Sequence, residues 1–223
     1  MISPNYRLQF ITHHNSRYSY IDSARLALEG GCRWIQLRMK NADKSLMEDT
    51  AVIIQQMCKN YEATFIINDN VLLAQKIEAD GVHLGKDDMP IAQARKILGD
   101  RYIIGATINS FDDALSHLRS DTPDYFGCGP FRFTSTKQNI AATLGINGYR
   151  NIMRQMRSSG INIPIVAIGG ICNDDITDIL DCGINGIAIS GSVLNANNPT
   201  AEMANISTTI SQFQNKKIIN TYD

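Results

Sequence analysis

Short apolar segments alternate with segments of helical periodicity along the whole chain. Between the short segments, apolar residues recur three and four positions apart, as in Ile21, Ala24 and Leu28, and this spacing indicates amphipathic helices. The pattern predicts eight strands, each followed by a helix. The eight runs are Leu8–Ile11, Trp34–Met39, Thr64–Ile67, Gly81–Leu84, Tyr102–Ala106, Tyr125–Cys128, Pro164–Ile168 and Gly186–Ile189.

The composition of these runs predicts how the strands are arranged. Most runs are apolar on both faces without strict alternation, which is typical of parallel strands covered by helices. Each crossover is about as long as a strand–helix–strand unit requires. Eight such units in 223 residues favour a single (β/α)8 TIM barrel over a doubly wound open sheet.

The chain shows no internal division. It contains no linker rich in proline, serine or glycine, so residues 1–223 are expected to form one barrel domain. The one long connection runs from about residue 130 to 148, after the sixth predicted strand, and connections of this length inside a domain are usually functional. The tail from about residue 215 is expected to be frayed.

Charge and composition exclude several classes of function. The net charge is −1, the isoelectric point is near 6.4, and the charges are interspersed, so no basic surface indicates a nucleic acid or an anionic membrane as partner. No apolar run approaches the roughly 18 residues of a membrane span. The five cysteines include no CxxC pair, which is typical of reduced thiols in a cytoplasmic protein. Whether the chain forms a homo-oligomer is left open.

The second run, "RWIQLRMK", carries polar residues at alternate positions. Trp34, Gln36, Arg38 and Lys40 therefore share one side of the predicted strand. Both sides of a barrel strand are covered, so this polar side should point into the barrel and towards its C-terminal mouth. Buried cations require either carboxylates or an anionic ligand. The sequence leaves open both an internal salt bridge and an anion site.

Carboxylates follow the third and fourth predicted strands. Asn68 and Asp69 end the segment "FIINDN", and Asp87 and Asp88 lie in "HLGKDDMP". Either pair could cap the following helix, which is the commoner role of such residues. The ends of adjacent parallel strands also meet at the same mouth, where two carboxylates could share one Mg²⁺ that binds substrate phosphates.

Glycines follow the last two predicted strands. Gly169 and Gly170 come after the seventh, and Ser190 and Gly191 come after the eighth. Many barrels bind a phosphate there, because backbone N–H groups can approach its oxygens and a following helix contributes its dipole. Plain turns are the alternative.

Hydroxyl and cationic side chains begin the long connection. In "CGPFRFTSTKQN", Thr134, Ser135, Thr136 and Lys137 follow one another. Such residues are common in solvated loops, and the run alone indicates no more than that. After the sixth strand of a barrel, however, it lies on the face where the catalytic groups of this fold collect. An anion site is the functional alternative.

These motifs together resemble those of the thiamine-phosphate synthase (thiamine-phosphate pyrophosphorylase) family. That family consists of (β/α)8 enzymes that join hydroxymethylpyrimidine diphosphate to hydroxyethylthiazole phosphate and release pyrophosphate. The resemblance implies a transferase of thiamine biosynthesis with two small-molecule phosphate substrates. Seven segments match in order over nearly the whole chain: "QLRMK", "IIND", "DGVHLGKDD", "IGATIN", "DYFGCGPFRFTSTKQN", "IPIVAIGGI" and "GINGIAISGS".

The resemblance also implies roles for individual residues. Asp69 and Asp88 would hold Mg²⁺, and Thr107 would lie beside the pyrimidine. Since cations neutralise the charge that grows on a departing diphosphate, Arg38, Lys40 and Lys137 are the expected catalytic residues. The diphosphate would be held by Gln36, Arg38, Lys40, Asn68, Thr134, Thr136 and Lys137. The thiazole phosphate would be held by Gly169, Gly170, Ile189 and Ser190.

Two positions depart from the family pattern. Asn109 stands where the family often has His, and Phe133 stands where it often has Pro. A His after the fifth strand is typical of the aminothiazole tautomerases, isomerases of the same fold that generally lack the full diphosphate set. This chain has the set and lacks the His, which favours the synthase. A non-catalytic barrel that binds a phosphate ligand is the third alternative, but charged positions such as Asp69 and Lys137 are retained.

Overall fold

Eight parallel strands close into a barrel. The structure is a computed structural model, which describes residues 6–133 and 142–219. Each strand pairs with its neighbours in chain order, and β8 pairs with β1. The predicted (β/α)8 barrel is confirmed. The strands are β1 (Leu8–Ile11), β2 (Trp34–Leu37), β3 (Thr64–Asn68), β4 (Gly81–Leu84), β5 (Ile103–Ile108), β6 (Tyr125–Cys128), β7 (Ile165–Ile168) and β8 (Gly186–Ile189).

Helices surround the barrel, and α1, α2, α3 and α5 each begin at a residue whose side chain caps the helix. Ser19 and Asp22 form a capping box at the start of α1, and Asp43 caps α2. No helix of the described ranges combines the length and apolar character needed to cross a membrane. The helices are α1 (Tyr20–Glu29), α2 (Lys44–Asn60), α3 (Val71–Ile77), α4 (Ile91–Leu98), α5 (Phe111–Leu118), α6 (Gly145–Ser158), α7 (Ile176–Asp181), α8 (Gly191–Leu194) and α9 (Pro199–Ile219); a 3-10 helix, Asn173–Asp175, precedes α7.

Successive side chains of each strand point alternately into two separate cores. In β2, Ile35 and Leu37 pack against the helices, whereas Trp34 lies inside the barrel. This is the alternation that the sequence predicts for β2. The core inside the barrel consists of Ile11, Trp34, Ile66, Tyr125, Val166 and Ala188, with Tyr6, Ile103 and Ile168 packed against it.

Several predicted boundaries are wrong, and those of β3, β5 and β7 differ by one or two residues. β2 ends at Leu37 rather than Met39, because the amide of Arg38 donates to Thr12 Oγ1 at 3.1 Å. The connection after β6 ends where α6 begins, at Gly145 rather than about residue 148. The tail from about residue 215 was expected to be frayed, but α9 continues to Ile219, so the first five residues of the tail are helical.

Candidate active site

Two hydrogen-bonded amide side chains lie at the C-terminal ends of β2 and β3. Gln36 is only 2% exposed, and its Nε2 donates to Asn68 Oδ1 at 2.7 Å. Gln36 Oε1 is also buried, and it has no hydrogen-bond partner among the residues that the structure describes. Since an unpaired buried acceptor is costly, this oxygen is suited to a ligand that brings an N–H or O–H group.

Two carboxylates and a lysine meet beside that pair. Asp69 follows β3 in the left-handed region, at φ 65°, and Lys40 forms an ion pair with its Oδ2. Burial, followed by a hydrogen bond to Asp88, raises the pKa of Asp69 to about 6, while Lys40 acts in the opposite direction. Burial alone would raise the pKa of Asp88, but the bonds from Asp69 and Gly85 N–H outweigh it and the pKa is lowered. The two carboxylates are therefore close enough for the charge of one to oppose ionisation of the other.

Neither carboxylate caps a helix. Asn70 caps α3, since its side chain accepts from Leu73 N at 3.0 Å, and Pro90 occupies the N-cap of α4. The capping alternative is wrong for Asp69 and Asp88. Both are therefore available to a ligand at the mouth.

Arg38 and Lys40 follow β2 instead of belonging to it, so strand alternation does not direct them. Lys40 has the carboxylate partner described above, which agrees with the salt-bridge alternative. The Arg38 guanidinium has no ion pair or hydrogen bond within the described ranges 6–133 and 142–219. It lies close enough to His13 to contribute, after burial and His14, to a lowered pKa of that imidazole. Arg38 is half-buried and available to an anion.

Thr107 forms a hydrogen bond with a histidine inside the barrel. Its side chain points inward from β5, and its Oγ1 lies 2.9 Å from His83 Nε2. No sequence motif singled out His83 as a site residue. The available signal was its inward position in β4, two residues after Gly81, which places a titratable ring under the mouth rather than against a helix.

Asn109, the first departure from the family pattern, joins the ends of two strands. Its Nδ2 donates to the carbonyl of Gly129, beyond β6, and its backbone N–H donates to Asp113 Oδ2 at 2.7 Å. The side chain is therefore engaged with the backbone. Phe133, the second departure, is 74% exposed, and its contacts do not explain why Phe stands there.

The glycines after β7 have a packing requirement of their own. Gly169 and Gly170 have φ of 101° and 67°, which favours glycine. A Cβ at Gly169 would lie 2.7 Å from Pro130 Cβ, and one at Gly170 would lie 2.5 Å from Arg132 Cγ. The plain-turn alternative thus accounts for both residues, whether or not a phosphate binds.

The end of β8 carries two unpaired hydroxyl groups. Ser190 follows Ile189, and the Oγ atoms of Ser190 and Ser192 are buried without a partner in the described part of the chain. An incoming anion could accept from both. The expected helix dipole contributes little, because α8 has four residues and α7 has six.

The remaining predicted residues lie outside the described residues. These are Thr134, Thr136 and Lys137, together with Ser135 between them. The residues on either side are bonded to each other: Leu144 N donates to Pro130 O, and Gly145 N donates to Phe131 O, both at 2.9 Å. We call these two bonds the stem of the β6–α6 connection.

The family model for thiamine monophosphate synthase matches residues 8–193, a range that includes all eight strands. The chain belongs to the thiamine monophosphate synthase family. The family predicted from the motifs is confirmed, and with it an enzyme of the transferase class that acts on small molecules.

Relatives of this family are similar over most of their length. A thiamine-phosphate synthase of Phocaeicola vulgatus is 57% identical over 199 residues, which cover 89% of this chain and 95% of that protein. A thiamine-phosphate synthase of Bacteroides thetaiotaomicron is 53% identical, with the same coverage. A solved thiamine phosphate pyrophosphorylase from Pyrococcus furiosus has a TM-score of 0.83 and 33% identity, covering 96% of this chain and 99% of that chain.

Three residues near the mouth of this thiamine monophosphate synthase family member were not predicted as site residues from the sequence. His83 contacts Thr107, Ser192 presents a second unpaired hydroxyl, and Arg132 holds the connection after β6 against the loop after β7. Ser192 lies two positions from Ser190 in "ISGS", so the alternation of hydroxyl residues was a readable signal. The contact of Arg132 with the loop after β7 depends on the folded structure, and no pattern in the sequence indicated it.

Proposed function

We propose that the protein is a thiamine-phosphate synthase that needs Mg²⁺. It transfers the hydroxymethylpyrimidine group from its diphosphate to hydroxyethylthiazole phosphate, giving thiamine phosphate and pyrophosphate. The observation that carries the proposal is the contact between Asp69 and Asp88 beside Lys40. The guanidinium of Arg38, in the same loop, has no partner among the residues that the structure describes. A site with these charges fits a metal-bound diphosphate better than it fits a neutral ligand.

The carboxylate pair fits a magnesium ion. Two carboxylates in contact repel each other when both are ionised, and a divalent cation bound between them would relieve that repulsion. The described residues contain no group of three or more His, Cys, Asp or Glu side chains arranged to bind a metal. Mg²⁺ commonly uses one or two carboxylates and completes its coordination with water and substrate phosphates. When bound, it would neutralise charge on the departing diphosphate.

The cationic side chains would act on the leaving group. As the bond between the pyrimidine methylene carbon and the diphosphate oxygen breaks, the electron pair leaves with the diphosphate. Arg38, Lys40 and Lys137 would stabilise that growing negative charge. The lone pair of the thiazole nitrogen then forms the new carbon–nitrogen bond, so no protein nucleophile is needed.

The remaining predicted residues would position the second substrate. Gly169, Gly170, Ile189 and Ser190 would hold the thiazole phosphate, with the unpaired Ser190 hydroxyl as one donor. An anchored phosphate brings the thiazole nitrogen close to the methylene carbon before the diphosphate leaves, and such positioning accounts for much of the rate of a two-substrate reaction.

The test is a product assay with purified protein, Mg²⁺ and both substrates. We expect thiamine phosphate and an equal amount of pyrophosphate, and a loss of about 100-fold or more in kcat for Lys137→Ala. Lys76→Ala is the matched control, because Lys76 is an exposed lysine paired with Glu48 on the outer surface. Isomerisation of the thiazole without product formation would replace this proposal with the tautomerase.

Calorimetry supplies a simpler measurement. Pyrophosphate should bind the wild-type protein in the presence of Mg²⁺ and much more weakly after a chelator is added. Equal binding with and without Mg²⁺ would contradict the metal site. The product assay would still test the proposed transfer reaction.

A further inference from the structure

Four inward side chains form a continuous hydrogen-bond chain inside the barrel. Gln9 Nε2, from β1, donates to the Tyr125 hydroxyl, from β6, at 3.3 Å. The same hydroxyl lies 3.0 Å from His83 Nδ1, and His83 Nε2 lies 2.9 Å from Thr107 Oγ1. Gln9, Tyr125 and His83 are all buried, whereas Thr107 is half-buried at the mouth. The chain therefore connects the centre of the barrel to the proposed site.

Two glycines make room for the rings of this chain. A Cβ at Gly105 would overlap the ring of Tyr125, and one at Gly127 would lie 2.8 Å from His83 Cε1. Trp34 packs edge-on against Tyr125 with ring centroids 4.8 Å apart. Since the rings are enclosed on these sides, their polar atoms keep fixed partners.

The donors and acceptors give the chain a direction. An amide nitrogen only donates, so the Tyr125 oxygen accepts from Gln9, and the Tyr125 hydroxyl can in turn donate its own hydrogen to His83 Nδ1. An imidazole that accepts at Nδ1 carries its proton on Nε2 and donates it to Thr107. The Thr107 oxygen is thereby occupied as an acceptor, and its O–H is left to donate towards the mouth.

We propose that His83 is a positioning residue that, together with Tyr125 and Gln9, fixes the Thr107 hydroxyl as a hydrogen-bond donor to a ring nitrogen of the pyrimidine substrate. This inference rests on the proposed function and on the family resemblance, which implies that Thr107 lies beside the pyrimidine. Pyrimidine ring nitrogens accept hydrogen bonds, whereas exocyclic amino groups donate them. If the chain ran in the opposite direction, Thr107 would offer a lone pair and would select a donating group instead.

The tautomer of His83 tests the direction of the hydrogen-bond chain and can be measured without any substrate. In nitrogen-15 NMR spectra of the wild-type protein at pH 8, with the signals assigned by their loss in His83→Gln, we expect Nε2 to be protonated and Nδ1 to be bare. In Tyr125→Phe, which removes the donor to Nδ1, we expect a mixture of both tautomers. A wild-type signal with the proton on Nδ1 would overturn the inference.

Kinetics test the consequence for the substrate. In Tyr125→Phe, KM for the pyrimidine diphosphate should rise about tenfold, which is the loss of one directed hydrogen bond, with KM for the thiazole phosphate and kcat within about twofold of wild type. His83→Gln, whose amide N–H can replace Nε2–H, should retain a lower KM than His83→Leu. Equal rises in both KM values would show a general structural defect and would contradict the inference.

Tyr149→Phe is the matched control for these measurements. Tyr149 is also fully buried and donates a hydrogen bond to a backbone carbonyl, that of Cys128, at 3.0 Å, but it lies in the core outside the barrel. We expect lower stability without a change in KM. Absence of thiamine phosphate formation by the wild-type protein would refute the proposed function, and the tautomer measurement would still decide the direction of the hydrogen-bond chain.

Discussion

The guanidinium of Arg132 donates to both carboxylate oxygens of Asp175, at 2.8 and 2.7 Å. It also donates to the carbonyl of Gly170 at 2.9 Å, while the backbone N–H of Arg132 donates to the carbonyl of Gly169 at 3.0 Å. These bonds hold the connection after β6 against the loop after β7. Under the proposed function, the first carries diphosphate ligands and the second binds the thiazole phosphate, so one arginine couples the two substrate sites.

Arg132→Ala should impair the binding of both substrates. We expect KM for each to rise about tenfold, because a bidentate arginine–carboxylate pair fixes geometry as well as charge. Arg132→Lys keeps the charge but loses the planar fork, so an intermediate effect is expected in steady-state assays. Arg25→Ala is the control, since Arg25 pairs with Asp22 and Glu29 on the exposed face of α1. Unchanged KM values for Arg132→Ala would show that Arg132 does not couple the two substrate sites.

Magnesium affinity should depend on pH through Asp69. In the metal-free protein, burial and the contact with Asp88 raise the pKa of Asp69 to about 6. Below that pH Asp69 holds a proton, which Mg²⁺ must displace, so affinity should fall as the pH decreases through 6 and should level off above 7. Titration calorimetry in two buffers of different ionisation enthalpy would detect the released proton at pH 6. For Asp69→Asn we expect weak binding at every pH, and a pH-independent affinity of the wild type would contradict the site.

A methyl group at Gly105 should destabilise the barrel. Its Cβ would overlap the buried Tyr125 ring, so Gly105→Ala is expected to lower the free energy of unfolding by about 1–3 kcal/mol. Gly191→Ala is the control, because its Cβ would meet only Asn195 Nδ2, at 3.6 Å. Denaturant unfolding of the two variants measures the difference. Equal stabilities would mean that the space beside Tyr125 can expand.

Asn109 should contribute to stability rather than to substrate selection. Asn109→Ala leaves the Gly129 carbonyl without its side-chain donor, at an expected cost of about 1–3 kcal/mol in unfolding free energy. KM for the pyrimidine diphosphate should stay within about twofold of wild type. The exposed Asn60, which accepts a hydrogen bond from Gln56, gives a control in Asn60→Ala with an effect below about 0.5 kcal/mol. A large rise in KM would instead place Asn109 in pyrimidine recognition.

Elements defined by local pattern were predictable from the sequence. The bounds of β1, β4, β6 and β8 agree with the apolar runs, because each run is flanked on both sides by a polar residue or a glycine. The end of β2 was not predictable. Met39 continues the alternation of the run, whereas the bond from Arg38 N to Thr12 Oγ1 joins residues 26 positions apart, and no local pattern encodes such a contact.

The candidate site was predictable in position and less so in arrangement. Carboxylates after β3 and β4 pointed to the mouth, because adjacent parallel strands end there. Which residue caps α3 depends on where the helix begins, and Asn70 takes that role one residue after Asp69. The contact of His83 with Thr107 depends on the barrel register that places β4 beside β5, and it follows only after the sheet has closed.

The stem formed by Leu144 with Pro130 and by Gly145 with Phe131 fixes the distance between the two ends of the β6–α6 connection. The barrel therefore places no demand on the length of residues 134–141, because loop closure costs little more for a longer segment once its ends are held. We therefore expect the barrel to tolerate changes in the length and sequence of that segment. Variation in evolution, or libraries made in the laboratory, could alter the chemistry carried by these eight positions on an unchanged scaffold.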